Sequence, residues 1–179
     1  MILTLQKIPA DQCLYKLYSK VQAMPEPDPG FLLYKAKFQA DKAAASALSG
    51  LIAGLLHKNR MPFDLIVPVP PGKADRPMQP VTEIVRELSE RLAVPASFCL
   101  SKKTGCRLRR DVESDHEWEK LQDGSFTLSD STDISGRNIL LVDDVIGSGI
   151  TVRKCAELLI KNGAASVEAV CVIDKRAAD

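Results

Sequence analysis

Apolar residues recur at steps of three and four through Ala44, Ala47, Leu48, Leu51, Ile52, Leu55 and Leu56, a spacing that predicts a helix with one buried face. A second helix follows from Val81, Ile84, Val85, Leu88 and Leu92, with Pro80 suited to its first turn. A third follows from Val152, Cys155, Ala156, Leu159 and Ile160, and Gly163 is its natural stop. Between them lie apolar runs without alternation: Leu65-Ile66-Val67, Ile139-Leu140-Leu141-Val142, and Val167 through Ile173. Runs of this length and composition suit strands buried on both faces, as in parallel sheets. Strands alternating with helices predict an α/β, doubly wound, mainly parallel sheet with flanking helices.

Pro25, Pro27 and Pro29 exclude a helix across Met24–Gly30 and mark a loop there. That loop sets off residues 1–33, expected as a small N-terminal hood or appendage, from an α/β domain over 34–179. The stretch from Lys102 to Asp133 is polar, with a short strand expected around Phe126-Thr127-Leu128. Compact domains seldom carry idle loops of that length, so it reads as a functional loop or hairpin.

At 179 residues the chain suits one well-cored domain. A net charge of +1 gives no global electrostatic case for nucleic acid, although Lys102, Lys103, Arg107, Arg109 and Arg110 form a local basic run. The five cysteines are scattered and contain no Cys-x-x-Cys pair, which argues against a disulfide framework or zinc site and for a reducing compartment. Residues 43–56, the longest near-apolar stretch, are too few to cross a bilayer and are broken by Ser46, Ser49, Gly50 and Gly54. A soluble, cytoplasmic protein is expected, without a membrane partner. Its apolar first helix is a candidate homodimer surface.

The chemistry concentrates where the strand Ile139–Val142 runs into Asp143 and Asp144 and then Val145-Ile146-Gly147-Ser148-Gly149-Ile150-Thr151. Open α/β sheets bind ligands at this place, outside the carboxyl ends of their strands. Glycines at 147 and 149 allow positive φ and close approach of a ligand to the main chain. Free N–H groups at the start of the third helix, with its positive dipole end, make an anion site to which Ser148 and Thr151 add hydroxyls. Two carboxylates beside a phosphate would repel it, so they must face sugar hydroxyls, a metal ion, or both. The chain has no Gly-x-x-x-x-Gly-Lys-Ser/Thr stretch, and Val152 stands where a dinucleotide fingerprint needs glycine.

This pattern resembles the ribose-phosphate motif of type I phosphoribosyltransferases. The resemblance implies that Asp143 and Asp144 act on the ribose 2′ and 3′ hydroxyls, and that Val145, Ile146, Gly147, Ser148, Gly149, Ile150 and Thr151 hold ribose 5-phosphate. Gly147 and Ile150 depart from the family's usual Ser/Thr and Gly/Ala, which removes one hydroxyl donor. Pro68-Val69-Pro70-Pro71-Gly72-Lys73 resembles the pyrophosphate-side loop of the ComF-like branch, and Arg76 and Gln79 stand for the arginine and glutamine of its Arg-Gly-Phe-Asn-Gln. Lys102-Lys103-Thr104 resembles the basic entry to the family's flexible loop, and Gly124-Ser125-Phe126 its later Gly-Ala-Phe. Pro71, Gly72, Lys73, Arg76, Lys102 and Lys103 are thus the implied pyrophosphate residues. The four-cysteine zinc module at the start of ComF-like proteins has no counterpart in this sequence.

By the same resemblance the ligands are phosphoribosyl pyrophosphate with Mg²⁺, the metal carried without direct protein ligands, and an unspecified nitrogen acceptor that displaces pyrophosphate. A non-catalytic sensor of phosphoribosyl pyrophosphate or a nucleotide, acting through a protein or nucleic-acid partner, is the alternative. Tyr34-Lys35-Ala36-Lys37-Phe38 resembles a family stretch ahead of the first helix but reads as a basic surface turn. His57 and His116 read as surface residues, and Trp118 as packing.

Overall fold

The computed structural model describes residues 4–9, 16–19, 28–59, 62–72, 76–103, 112–129 and 133–174. Its centre is a parallel set of three strands. Strand β6 (Asn138–Ile146) lies between β3 (Leu65–Pro68) and β7 (Ser166–Asp174), parallel to both. A further parallel bridge joins Ile66 to Ala96 on the free side of β3. On the other side, β1 (Thr4–Pro9) pairs antiparallel with β7, and β2 (Lys16–Ser19) antiparallel with β1, giving the order β2-β1-β7-β6-β3. Residues 4–9 and 16–19 therefore extend the main sheet by two antiparallel strands, with β2 at its edge. The register of β3 against β6 is pinned at one end, where the Asp64 carboxylate accepts from the backbone N–H and side-chain amide of Asn138 at 2.9 and 3.0 Å.

Alternate residues of the three central strands face opposite cores, which is why their sequences are continuously apolar. Ile66, Leu140, Val142, Val170 and Val172 meet helices α1 (Pro29–Gln39), α2 (Lys42–Asn59) and α3 (Pro80–Leu92). Leu65, Val67, Ile139, Leu141, Val167 and Cys171 meet α5 (Ile150–Lys161). Leu48, Ile52, Leu88 and Leu159 are among the largest side chains to lose essentially all solvent contact, each contributing about 1.5–3 kcal/mol. The sheet with helices on both faces is the doubly wound architecture expected from the sequence.

The three expected helices and four expected strands all form. Helix α3 has Pro80 in its first turn, and α5 starts at Ile150 and stops before Gly163, whose φ is +99°. Two helices lie where none was expected. The basic surface turn read at Tyr34–Phe38 is instead part of α1. Pro29 opens that helix at a position where its missing N–H costs nothing, and the Asp28 side chain accepts from the Gly30 N–H at 2.9 Å. Leu32, Leu33 and Ala36 bury one face of α1, while Phe31, Tyr34 and Phe38 stay exposed on the other. Because α1 spans 29–39, the expected boundary at residues 33/34 falls inside a helix.

The other addition is α4 (Asp115–Gln122), capped by the Ser114 hydroxyl accepting from the Glu117 N–H. It lies within the Lys102–Asp133 stretch. That stretch is framed by a two-stranded antiparallel ribbon of β4 (Leu100–Lys102) and β5 (Phe126–Leu128), as the hairpin reading required. Ion pairs from Arg153 to Glu119 and from Lys154 to Asp123 tie the α4 region to α5. Among the described residues no helix is long and apolar enough to cross a membrane, and Cys99, Cys155 and Cys171 are buried and outside any disulfide.

Candidate active site

Strand β6 runs four residues beyond its apolar stretch, so Asp143 and Asp144 lie within its last turns of pleat rather than after it. Successive strand residues point to opposite faces. The two carboxyl groups nonetheless serve one cleft, of about 430 Å³, whose lining includes Lys37, Pro71, Gly72, Arg76, Gln79, Lys102, Trp118, Phe126, Val145 and Thr151. The Asp143 Oδ1 accepts from the Asp144 N–H at 2.8 Å. Lys37, projecting from α1, places its Nζ 2.5 Å from Asp144 Oδ2.

These surroundings set the protonation of Asp143. Burial, and after it the negative charge of Asp144, push its pKa up to about 8, against the opposing pull of the Asp144 N–H and the Lys37 ammonium. A strand-end carboxyl that holds its proton near neutrality can donate a hydrogen bond to a sugar hydroxyl as well as accept one. Burial also raises the pKa of the Cys155 thiol beneath the cleft, so this cysteine stays protonated and unreactive.

Beside the acidic pair is a second, smaller hollow of about 130 Å³, formed by Gly147, Ser148, Gly149, Ile150, Thr151 and their neighbours. Gly149 is the N-cap of α5 and has φ +80°, a conformation that side chains resist. Gly147 has no such φ, and a Cβ built on it would meet nothing within 4 Å. Of the two glycines, then, only Gly149 is required by the backbone, and Gly147 leaves open space for a ligand. The first residues of α5, Ile150, Thr151 and Val152, line this hollow, and no side chain caps the helix there; a helix N-terminus carries N–H groups without intrahelical partners and favours anions.

Of the residues singled out from sequence, Pro71, Gly72, Arg76, Lys102, Asp143, Asp144, Val145 and Thr151 meet in the large cleft. Ile146 through Ile150 meet in the small hollow, which shares Asp143, Val145 and Thr151 with the cleft. Lys103 lines neither. It follows Lys102 on the ribbon and so points the other way, and its N–H continues the pairing by donating to Ser125 O at 2.9 Å. Lys73, Arg107, Arg109 and Arg110 lie outside the described residues. Sequence reasoning missed Lys37, which reaches the cleft from a helix 107 positions away from Asp144. Trp118, read from sequence as packing, is 5% exposed and packed against Val112, Ile150 and Leu121, and it also lines both cavities. The available signal for Lys37 was its place in the Tyr34–Phe38 stretch, which resembles a family segment ahead of the first helix.

The comparisons with known proteins bear on the same region. The model of the phosphoribosyl transferase domain matches residues 80–179, which contain both carboxylates and the glycine loop. A stretch of 39 residues is 46% identical to the DNA utilization protein YhgH of Escherichia coli, covering 22% of this chain and 17% of that protein. Orotate phosphoribosyltransferase 2 of Mesorhizobium japonicum is 32% identical over 60 residues, 34% of this chain and 31% of the relative. The chain thus spans less than a third of either curated relative. Among solved structures, glutamine phosphoribosylpyrophosphate amidotransferase from Bacillus subtilis, complexed with ADP and GMP, superposes with a TM-score of 0.52 at 16% identity, over 86% of this chain and 32% of that one. Adenine phosphoribosyltransferase of Saccharomyces cerevisiae gives a TM-score of 0.51 at 16% identity, over 97% and 85%. These likenesses support the type I phosphoribosyltransferase fold. With its acidic strand end and α5 loop inside a match that takes in more than half the sequence, the chain belongs to the phosphoribosyl transferase domain family.

Proposed function

We propose that the protein binds phosphoribosyl pyrophosphate and transfers its phosphoribosyl group to a nitrogen acceptor, releasing pyrophosphate. The observation that carries this reading is a cleft lined by an acidic strand end and the cations Lys37, Arg76 and Lys102, joined through Asp143, Val145 and Thr151 to a hollow formed by the glycine turn at the N-terminus of α5. Each feature suits a different part of one molecule. The hollow at Gly147–Thr151 suits the 5-phosphate, through backbone N–H groups and the helix dipole. Asp143 and Asp144 suit the vicinal ribose hydroxyls. Arg76 and Lys102 suit the pyrophosphate.

In the reaction the bond from C1 of the ribose to the pyrophosphate oxygen breaks, and pyrophosphate leaves with the electron pair. The nitrogen lone pair of the acceptor forms the new bond to C1, and the acceptor's proton passes to solvent or pyrophosphate. Charge develops on the ring as the leaving group departs, as in glycosyl transfer generally. The chain's contribution is positioning and electrostatics: the Asp144 carboxylate and the protonated Asp143 carboxyl at the ribose, cations around the departing anion. Magnesium would arrive as part of the diphosphate substrate. Among the described residues there is no group of three or more His, Cys, Asp or Glu side chains able to cage an ion. If a metal comes with the diphosphate, the Asp143 and Asp144 side chains at the cleft are the acidic groups that would face it, and it would supply charge neutralisation for the leaving group.

The finer assignment we favour is the ComF-like branch, on the Pro68-Val69-Pro70 turn that leaves β3 and the short YhgH match. Against turnover stands one feature, the Arg76-Pro77-Met78-Gln79 wording, in which Met78 is buried in the core rather than lining the cleft. That feature favours the second reading, a sensor that binds the same ligand without transfer. Incubation with phosphoribosyl pyrophosphate, magnesium and a panel of nucleobases, ammonia and glutamine separates the two. Acceptor-dependent pyrophosphate release supports transfer; saturable binding with no release above the spontaneous rate supports the sensor.

A further inference from the structure

The long hairpin places an aromatic wall against the cleft, and the reaction as proposed gives that wall no part. Lys102 Nζ sits 5.0 Å from the centroid of the Trp118 ring and 5.6 Å from that of Phe126. Phe126 stands directly opposite Lys102 across the ribbon. Trp118 itself is packed against Val112, Ile150 and Leu121, and Ile150 is the first residue of α5, beside the phosphate hollow. The ring is therefore held from behind by the helix that carries the hollow, and it borders both cavities.

A lysine on a flexible four-carbon stem loses much rotamer freedom when a ligand fixes it. Two aromatic faces restrict it beforehand, and they attract the ammonium without a directional bond. We propose that Trp118 is a positioning residue: it holds the Lys102 ammonium, with Phe126, at the place where the pyrophosphate group of the substrate is bound. The inference rests on the phosphoribosyl reading and adds to it a residue that touches no reacting atom. Because Trp118 is the chain's single tryptophan, its emission reports directly on the cation beside its ring.

The test is titration of the full chain with magnesium pyrophosphate and, separately, with ribose 5-phosphate, followed by tryptophan emission and by calorimetry. Pyrophosphate should change the emission as a phosphate oxygen pairs with the ammonium held beside the ring, and Lys102→Met should abolish that change. Trp118→Leu should weaken pyrophosphate binding about tenfold, and Trp118→Phe, which keeps an aromatic face, should recover it to within about threefold. If Trp118→Leu does not fold, the wild-type emission change and its loss in Lys102→Met decide. Pyrophosphate binding seen by calorimetry with unchanged emission, or equal losses in Trp118→Leu and Trp118→Phe, overturns the inference. So does binding of ribose 5-phosphate alone, which leaves the phosphoribosyl reading standing. Binding of neither ligand by folded wild type overturns both.

Discussion

Asp143→Asn is the substitution whose sign the structure fixes most sharply. In the folded protein this carboxyl is pushed from the ordinary 3.8 to about 8 by burial and by Asp144. Between those two values the unfolded chain releases a proton that the folded chain retains. Stability contributed at this position is therefore complete at low pH and falls as pH rises through the window from about 4 to about 8. The asparagine keeps a side-chain oxygen to accept the Asp144 N–H and has nothing to titrate. At about 1.4 kcal/mol per pH unit the full window sets the ceiling. Water in the cleft, which leaves Asp143 partly exposed, and its coupling to Asp144 reduce this to on the order of 3 kcal/mol. For a chain of this size that is roughly 6–12 °C in Tm. Urea unfolding of both proteins from pH 4 to 9 should show curves that coincide near pH 4, with the variant progressively the more stable above it. A difference that does not change with pH, or a variant less stable than wild type at pH 8.5, refutes the reasoning.

Lys37→Met removes the partner 2.5 Å from Asp144 and should cost about 1–2 kcal/mol near neutral pH. It also removes a charge that lowers the pKa of Asp143, so the midpoint of the pH-dependent stability loss should move upward, as the same unfolding series would show. Gly149→Ala forces a Cβ into φ +80° and should destabilise by about 1–2 kcal/mol. Gly147→Ala should leave stability unchanged, since its Cβ meets nothing within 4 Å, yet weaken binding of ribose 5-phosphate. Thermal unfolding with and without ribose 5-phosphate separates those two effects.

The central sheet is legible in the sequence because the apolar runs of β3, β6 and β7 are buried on both faces. Helices α2, α3 and α5 are legible because each buries a regular stripe, α3 and α5 against that sheet and α2 chiefly against α1 and α3. Helix α1 is not, since its buried face amounts to Pro29, Leu32, Leu33 and Ala36 and three prolines crowd its start. Helix α4 is hidden by its polarity: only Trp118 and Gln122 are buried in eight residues. The site divides in the same way. Asp143 through Thr151 are contiguous, so their meaning can be read along the chain. Lys37 and Trp118 enter only through tertiary packing, from a helix on one face of the sheet and an insertion on the other. Gly147 and Gly149 look equivalent as letters, and only backbone geometry shows that one serves the fold and the other leaves room.

The most direct test of the account is calorimetric titration of phosphoribosyl pyrophosphate with magnesium into wild type and into Asp143→Asn/Asp144→Asn, with ribose 5-phosphate as a second ligand. The account predicts saturable binding of both ligands to the wild type, and loss of about tenfold or more in affinity, roughly 1.4 kcal/mol, for both in the double variant. Folded wild type that binds neither, or a double variant that binds both as tightly as wild type, would contradict the claim that this strand end and its loop form a phosphoribosyl site.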